Sequence, residues 1–390
     1  MGERIRIALL FGGRSGEHEV SIMSARSVMQ ALDPDKYEVI PVGITRQGAW
    51  IIGADPMKAL ESEDFTGVKS AAIFADPSKK GLWAGERVIW DDVPTPAALA
   101  TSGAGGTLTA LSQVDVVFPV LHGTFGEDGT VQGLLELAGV PYIGGGVLNS
   151  ALAMDKIAFK DVVKSHGLPI PAYIWTTRRR WMAEPEVILD EAERVLGYPI
   201  FTKPANLGSS VGISKCHDRE ELREGIDGAA RYDRRILIEA AVPDAREIEV
   251  SVLGNEEPRA SLPGEILPSR EFYDYESKYL DAGEDASQLL IPAPLDEALT
   301  RRVQELAVQA YRAIDGAGMA RVDFLLTRET GELYLNEINT IPGFTTISMY
   351  PKLWEASGVP YSRLLDWLVD LALDRHEENA RSEHIFRPKI

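Results

Sequence analysis

Four polar residues set on two apolar stretches carry the most legible chemistry of the chain. ArgValAspPheLeuLeu starts at Arg321 and LeuTyrLeuAsnGluIleAsn ends at Asn339, with ThrArgGluThrGlyGlu between them as a Gly-containing turn. Residues two apart on a strand share a face, so Arg321 and Asp323 point together, as do Glu337 and Asn339. Such a face, with two carboxylates, an amide and a guanidinium, can hold a hard divalent cation and steady an anion. It can equally be the wet side of an edge hairpin, whose exposed ion pairs contribute little. Cations from other segments bear on that choice. Lys203 ends the strand pattern IlePheThrLysPro and precedes the small-residue loop AsnLeuGlySerSerValGlyIle, an arrangement that can lay backbone amides over phosphates. Lys156 and Lys160 lie one turn apart in a helical stretch from Ser150 to Ser165.

The elements that would position these groups follow from periodicity. IleArgIleAlaLeuLeuPhe, at 5 to 11, is nearly continuous in apolar character, as a buried parallel strand is. It opens into GlyGlyArgSerGlyGluHisGluValSer and a helix predicted from about Val20 to Leu32. The turn lacks both the dinucleotide spacing and the phosphate-loop lysine. Glu17 and Glu19 both suit a helix start or an ammonium group above it, and a capping role fits Glu17 better. TyrGluValIleProValGlyIle and Val114 to Val120 are further strands, and His122 follows the second, where open parallel sheets place ligands. Gly53 to Gln113 reads as turn-rich peripheral elaboration. A flexible turn near Ser150 closes this first domain. Helix patterns near Glu184 to Leu196, Asp296 to Ala313 and Tyr361 to Leu373 follow, with a polar, frayed tail after the last. Glu239 ends IleLeuIleGluAla, and Glu247 and Glu249 share one face of the strand after it, turned to solvent or to ribose hydroxyls. The expected division is 1–149, 150–243 and 244–390, and the stretch at 270–285 is too polar and aperiodic to be core.

Composition narrows the partners. With 40 Lys and Arg against 59 Asp and Glu, the formal charge of -19 argues against a nucleic-acid or anionic-membrane surface. No apolar run reaches membrane-spanning length, and the first residues lack a secretory pattern. One cysteine, Cys216, excludes an intramolecular disulfide or a cysteine-rich metal site. A cytoplasmic location is expected.

Seven segments in order resemble one family along nearly the whole chain. They are GlyGlyArgSerGlyGluHisGluValSer, LeuHisGlyThrPheGlyGluAspGlyThrValGlnGly, MetAspLys, LysProAlaAsnLeuGlySerSerValGly, TyrAspTyrGluSerLysTyr, ArgValAsp and AsnGluIleAsnThrIleProGly. In these the sequence resembles the D-alanine:D-alanine ligases of the ATP-grasp superfamily. The resemblance implies a multidomain α/β and α+β fold, an N-terminal open parallel α/β domain followed by a two-part ATP-grasp fold. It implies ATP as co-substrate, two Mg²⁺ ions with Mn²⁺ as an acceptable substitute, D-alanine as substrate and a homodimer.

The resemblance also implies roles. Lys156, Lys203 and Lys278 would contact the phosphates, Glu239 the adenine amino group, Glu247 the ribose and Phe272 the base, with Ser210, Ala240 and Val242 completing the nucleotide set. Ala240 stands where the family often has lysine; that contact runs mainly through backbone. Asp323, Glu337 and Asn339 would hold the metal and Arg321 the oxyanion. Glu19 would bind the first substrate's ammonium, linked through Ser209 and Tyr279 to a mobile lid near 269–288, with His122 near the same substrate. Gly343, Ser348 and Met349 would seat the second substrate's carboxylate. Rival readings are an ester-forming ligase that accepts D-lactate, another ATP-grasp carboxylate:amine ligase, and a non-catalytic ATP-binding module.

Overall fold

The computed structural model describes residues 4–85, 108–267, 288–345 and 347–383. Seventeen described strands, β1 to β17 in chain order, form three sheets. The first holds β1 (Ile5–Gly12), β2 (Tyr37–Ile44), β3 (Trp50–Ile52), β4 (Lys69–Ala72), β5 (Leu82–Gly85), β6 (Leu108–Ser112) and β7 (Val116–Pro119) in the order β6-β5-β4-β3-β2-β1-β7. Its centre is parallel, β1 pairing with β2 on one side and β7 on the other. Ile7 to Phe11 are fully buried, as a strand covered on both faces requires. The segment 53–113, expected as peripheral elaboration, instead supplies β4, β5 and β6, which extend the sheet in antiparallel fashion. Their short strands and turn residues carry too little periodicity to be read from sequence.

The second sheet is antiparallel, β10-β9-β11-β8, from β8 (Tyr173–Thr177), β9 (Ile200–Pro204), β10 (Ser214–Cys216) and β11 (Arg235–Ala240). Helices Pro185–Leu196 and Arg219–Tyr232 cover it through Ile188, Leu189, Leu222 and Ile226. Asp218 caps the second of these by accepting from Glu220 and Glu221 N–H. The third sheet runs β15-β14-β12-β16-β17, with β13 (Arg259–Ala260) beside β12 (Ala245–Leu253). Its other members are β14 (Gly264–Leu267), β15 (Gln288–Leu290), β16 (Met319–Thr327) and β17 (Leu333–Asn339). Ile248, Val250, Val322, Phe324, Leu335 and Ile338 turn one face of it into a core shared with helix Glu297–Ala313.

The last helix, Tyr361–Ala380, does not stay with the third sheet. Leu364, Leu365, Leu368, Val369 and Ala372 pack with Ile7, Leu9, Phe118 and Val116 of the first sheet. Asp366 accepts from Lys36 Nζ and Tyr37 Oη, each at 2.8 Å. GluGluAsnAla, expected in a frayed tail, forms its last turn. Leu368→Ala, which empties a fully buried site, is expected to cost about 2–5 kcal/mol in urea unfolding, against under ~0.5 kcal/mol for Leu137→Ala on the exposed face of helix Thr130–Ala138.

Candidate active site between the sheets

β12, β16 and β17 build the acidic floor. Antiparallel register sets Glu249 opposite Asp323 and Asp323 opposite Glu337, so three carboxylates stand in a row across one face. The neighbouring row is Ser251, Arg321 and Asn339. A bulge between Asp323 and Phe324 puts one extra residue, Asn336, into β17. It lets Leu335 enter the core while Glu337 and Asn339 face the site.

Arg321 holds this face together. Its Nε and Nη2 bind the two Asp323 oxygens at 2.8 and 2.7 Å, and Nε lies 3.0 Å from Glu249. Asn339 Nδ2 also donates to Asp323 at 3.0 Å. Burial alone would disfavour the guanidinium charge, yet Asp323, Glu249 and Glu337 outweigh it and hold Arg321 well above its ordinary pKa. Among the described residues no three His, Cys, Asp or Glu side chains converge as a self-sufficient metal cage. Two carboxylates and an amide oxygen still fit Mg²⁺, which normally keeps waters and takes phosphate oxygens to complete its octahedron.

The second sheet and helix Lys156–Ser165 supply the opposing cations. Glu239 is buried between Lys160 and Lys203, bonded to Lys203 Nζ at 2.8 Å and paired with Lys160. Burial opposes its charge, but the two ammonium groups prevail and hold its pKa below the ordinary range. Lys203 is raised in turn: burial works against it, and Glu239, Glu337 and Glu247 outweigh burial. Lys203 thus feels acids of both sheets, so the gap between them is one electrostatic site. Lys156 Nζ donates to Leu207 O at 2.6 Å, and its N–H to Ala205 O at 3.0 Å, tying its helix to the small-residue loop. Ser209 and Ser210 in that loop both have positive φ, 52° and 58°. Ala240 ends β11, its N–H donating to Ala172 O at 2.9 Å, and Val242 lies just beyond.

The start of the first helix corrects one expectation. Glu19 lies on the outward face, paired with Arg46 and half exposed. Glu17 is the inward carboxylate: it makes no capping bond, accepts from Ser209 Oγ, and is nearly buried. A Cβ on Gly123 would come within 2.7 Å of Glu17 Oε2, so glycine there makes room for it. His122 is close by and fully committed. Its Nδ1 donates to Ile341 O at 2.9 Å and its Nε2 accepts from Ser24 Oγ at 3.0 Å. Burial lowers its pKa, so the neutral ring is the stable form.

The turn after β17 closes the site. Ser348 Oγ accepts from Thr345 N–H at 3.0 Å and caps no helix N–H, so the first amides of helix Met349–Ala356 have no side-chain cap from it. Gly343 lies against Ser348 Oγ, which a Cβ there would approach to 2.7 Å. Phe272, Lys278 and Tyr279 lie outside the described residues, as does most of the expected lid. Sequence reasoning gave no role to Ser24, Glu127 or Lys160 in the site. Ser21 and Ser24, polar residues on the buried stripe of an amphipathic helix, were the available signal.

Comparison with known proteins now bears on this geometry. Residues 6–145 match the family model for the D-ala D-ala ligase N-terminus and residues 162–370 that for the C-terminus. The chain belongs to the D-alanine–D-alanine ligase family. It is 48% identical over 389 residues to the D-alanine–D-alanine ligase of Natranaerobius thermophilus, covering 98% of this chain and 99% of that one. The enzyme of that name from Thermoanaerobacter sp. is 52% identical over 380 residues, covering 97% and 99%. Among solved structures, the D-alanine-D-alanine ligase from Coxiella burnetii has a TM-score of 0.80 at 35% identity, covering 97% of each chain. VanG D-Ala:D-Ser ligase from Enterococcus faecalis scores 0.79 at 35% identity, covering 95% of this chain and all of that one. The fold is the family's ATP-grasp fold, and the family uses ATP and Mg²⁺. Among the described residues no helix is long and apolar enough to cross a membrane.

Arg321→Leu would remove the guanidinium that binds both Glu249 and Asp323, at a cost of about 3–5 kcal/mol in urea unfolding. Glu249→Gln introduced beside it should recover part of that loss.

Proposed function

We propose that the protein joins two D-alanine molecules into D-alanyl-D-alanine at the expense of ATP, a step that feeds peptidoglycan precursors. The observation that carries this reading is the pairing of an acidic, Arg321-centred floor on the third sheet with Lys203 and Lys160 on the facing segments. A binding module has no use for so costly a concentration of buried charge; a phosphoryl-transfer site does.

The donor carboxylate attacks the γ-phosphorus, forming an O–P bond while the β–γ bridge breaks and ADP departs with the electron pair. The acceptor's amine then adds to the acyl carbon of the resulting acylphosphate, and the tetrahedral adduct expels phosphate. Mg²⁺, two ions in this reading, neutralises phosphate charge when bound at Asp323, Glu337 and Asn339. This chain's residues do the remaining work by position. Lys156 and Lys203 meet the phosphates, and the planar fork of Arg321 faces the developing oxyanion. Glu239 receives the adenine amino group, Glu247 the ribose, and Ser210 with the backbone of Ala240 and Val242 the rest of the nucleotide; Phe272 and Lys278 belong to the same set.

Glu17, rather than Glu19, receives the donor's ammonium, since it is the inward carboxylate that Ser209 binds. Ser209 and Tyr279 link that end to the lid. His122, with both nitrogens spent, fixes neighbours rather than moving a proton. Gly343, Ser348 and Met349 receive the acceptor's carboxylate at the helix start. Two copies associate as a homodimer, which light scattering would test.

ATP-dependent phosphate release should require D-alanine and be at background with L-alanine; equal release with both would overturn the reading. With D-alanine, D-serine and D-lactate in competition at neutral pH, D-alanyl-D-alanine should dominate the products. Glu337→Gln should lower kcat at least ~100-fold, and full turnover would refute its place at the metal. Glu17→Gln should lower kcat/KM for the donor by about 100-fold or more, while Glu19→Gln, losing only a surface pair, stays within about 5-fold.

A further inference from the structure

Glu127 is a buried carboxylate that the mechanism above does not use. Its Oε1 accepts from Gly123 N–H at 2.9 Å, within its own loop, and its Oε2 accepts from Ile341 N–H at 3.1 Å, across the boundary to the segment after β17. The carbonyl of the same Ile341 residue is held by His122 Nδ1 at 2.9 Å. Ser24 Oγ accepts from Phe344 N–H at 3.3 Å, and Tyr361 Oη donates to Phe344 O at 2.8 Å. Both polar backbone groups of Ile341 and both of Phe344 are therefore fixed from outside. Gly343 lies between those residues, and Ser348 follows within one turn.

Glu127 also has a charged neighbour. Gly123 donates its N–H to Glu127 while its α-carbon faces Glu17 Oε2, so the two carboxylates flank a single glycine. Among the described residues the charged groups that act on Glu127 are Glu17 and Arg321, and His122 shares Ile341 with it. Burial and the Glu17 charge push Glu127 up to about 8, against the two backbone N–H groups and Arg321, which pull the other way. Near neutral pH the pair therefore retains a proton on Glu127.

We propose that Glu127 is a positioning residue for the acceptor half of the reaction, clasping the Ile341–Ser348 turn to the first sheet, and that it releases its proton to solvent when the donor's ammonium docks on Glu17. The second half rests on the reading of Glu17 given above. An ammonium beside Glu17 cancels the like charge that keeps Glu127 protonated. The ionised carboxylate then accepts both N–H bonds at full strength, so donor binding firms the turn that awaits the acceptor.

The test uses the full chain with Mg²⁺ and a non-hydrolysable ATP analogue. D-alanine is titrated in by calorimetry at pH 7 in buffers of different ionisation enthalpy. About 0.5–1 proton should be released per donor bound, and close to none by Glu127→Gln. That variant keeps the shape but turns an NH₂ toward one of the two backbone N–H groups. The acceptor KM, taken from the quadratic dependence of velocity on D-alanine, should rise about 10-fold with kcat within about 3-fold. Glu127→Asp, too short to span both N–H groups, should raise the acceptor KM yet still release a proton, and it serves if the glutamine variant folds poorly.

A folding measurement reads the same proton without substrate. The folded chain binds it more tightly than the unfolded one, whose carboxyl titrates near its ordinary value of 4.5. Stability from this group is therefore full below that pH and is lost as pH rises toward about 8; Glu127→Gln should flatten that slope. Equal proton release by the unchanged protein and Glu127→Gln, or an unchanged acceptor KM, would overturn the proposal. If Glu17→Gln binds D-alanine as tightly as the unchanged protein, the ammonium reading fails instead, and the acceptor KM alone decides the clasp.

Discussion

Arg321 lies where three strands bring Glu249, Asp323 and Glu337 side by side, and the site depends on that one cation. Like charges directly opposite one another on adjacent strands destabilise a sheet. Here the register leaves no way to separate them, because the reverse face is committed to the core through Val250, Val322 and Ile338. A slip of one residue would move the carboxylates inward and the core residues out. Arg321 therefore satisfies Asp323 with two bonds and Glu249 with a third contact. A single guanidinium cannot neutralise three carboxylates. Among the described residues the floor carries more carboxylates than cations, which suits a cation arriving with a polyphosphate.

The same accounting of charge shapes the facing sheet with the sign reversed. Lys160 and Lys203 share one carboxylate, Glu239, so among the described residues this side carries more basic groups than acidic ones; burial lowers the Lys160 pKa, with the Glu239 charge opposing it. Removal from water penalises all three groups, and the arrangement persists because each is paired. Lys160 is the more deeply buried of the two lysines. Together with Lys203 it holds the Glu239 pKa down against burial, and Lys203 lies nearer the gap. An acidic floor beneath a basic wall places opposite potentials on the two sides of a phosphate chain and its metal.

Much of this was legible in the sequence because strand and helix periods are strict. Arg321, Asp323, Glu337 and Asn339 could be set on one face from the period of two alone, and the hairpin turn followed from its glycine. What was not legible turns on single-residue shifts. The resemblance implied Glu19 for the donor's ammonium, and only the packed helix, which starts at His18 rather than near Val20, shows that Glu17 is the carboxylate turned inward. With the helix beginning at His18, Glu19 joins Met23 and Arg26 on the outward stripe, and Glu17 is left free to reach Ser209. The extra residue at Asn336 was equally silent, though Leu335 and Ile338, three apart yet both core, record it. Contacts such as Glu127 to Ile341 join residues 214 positions apart, and no local pattern encodes them.

Those distant contacts decide how the turn proposed to receive the acceptor is held. A loop that receives a carboxylate on backbone amides has no side chain with which to correct its aim, so the peptide planes themselves must be set. Ile341 has its N–H held by Glu127 and its C=O by His122, two residues of one short loop after β7. Phe344 is held at both polar groups and wedged against Phe118, ring centroids 5.6 Å apart. Phe118 is itself part of β7, so the turn takes its position from the first sheet rather than from β17, where its chain emerges. The last helix, buried on that first sheet, supplies Tyr361 to the same turn. In the proposed reading the N-terminal sheet bears on both amino acids, on the donor through Glu17 and on the acceptor through the frame in which Gly343 and Ser348 are suspended.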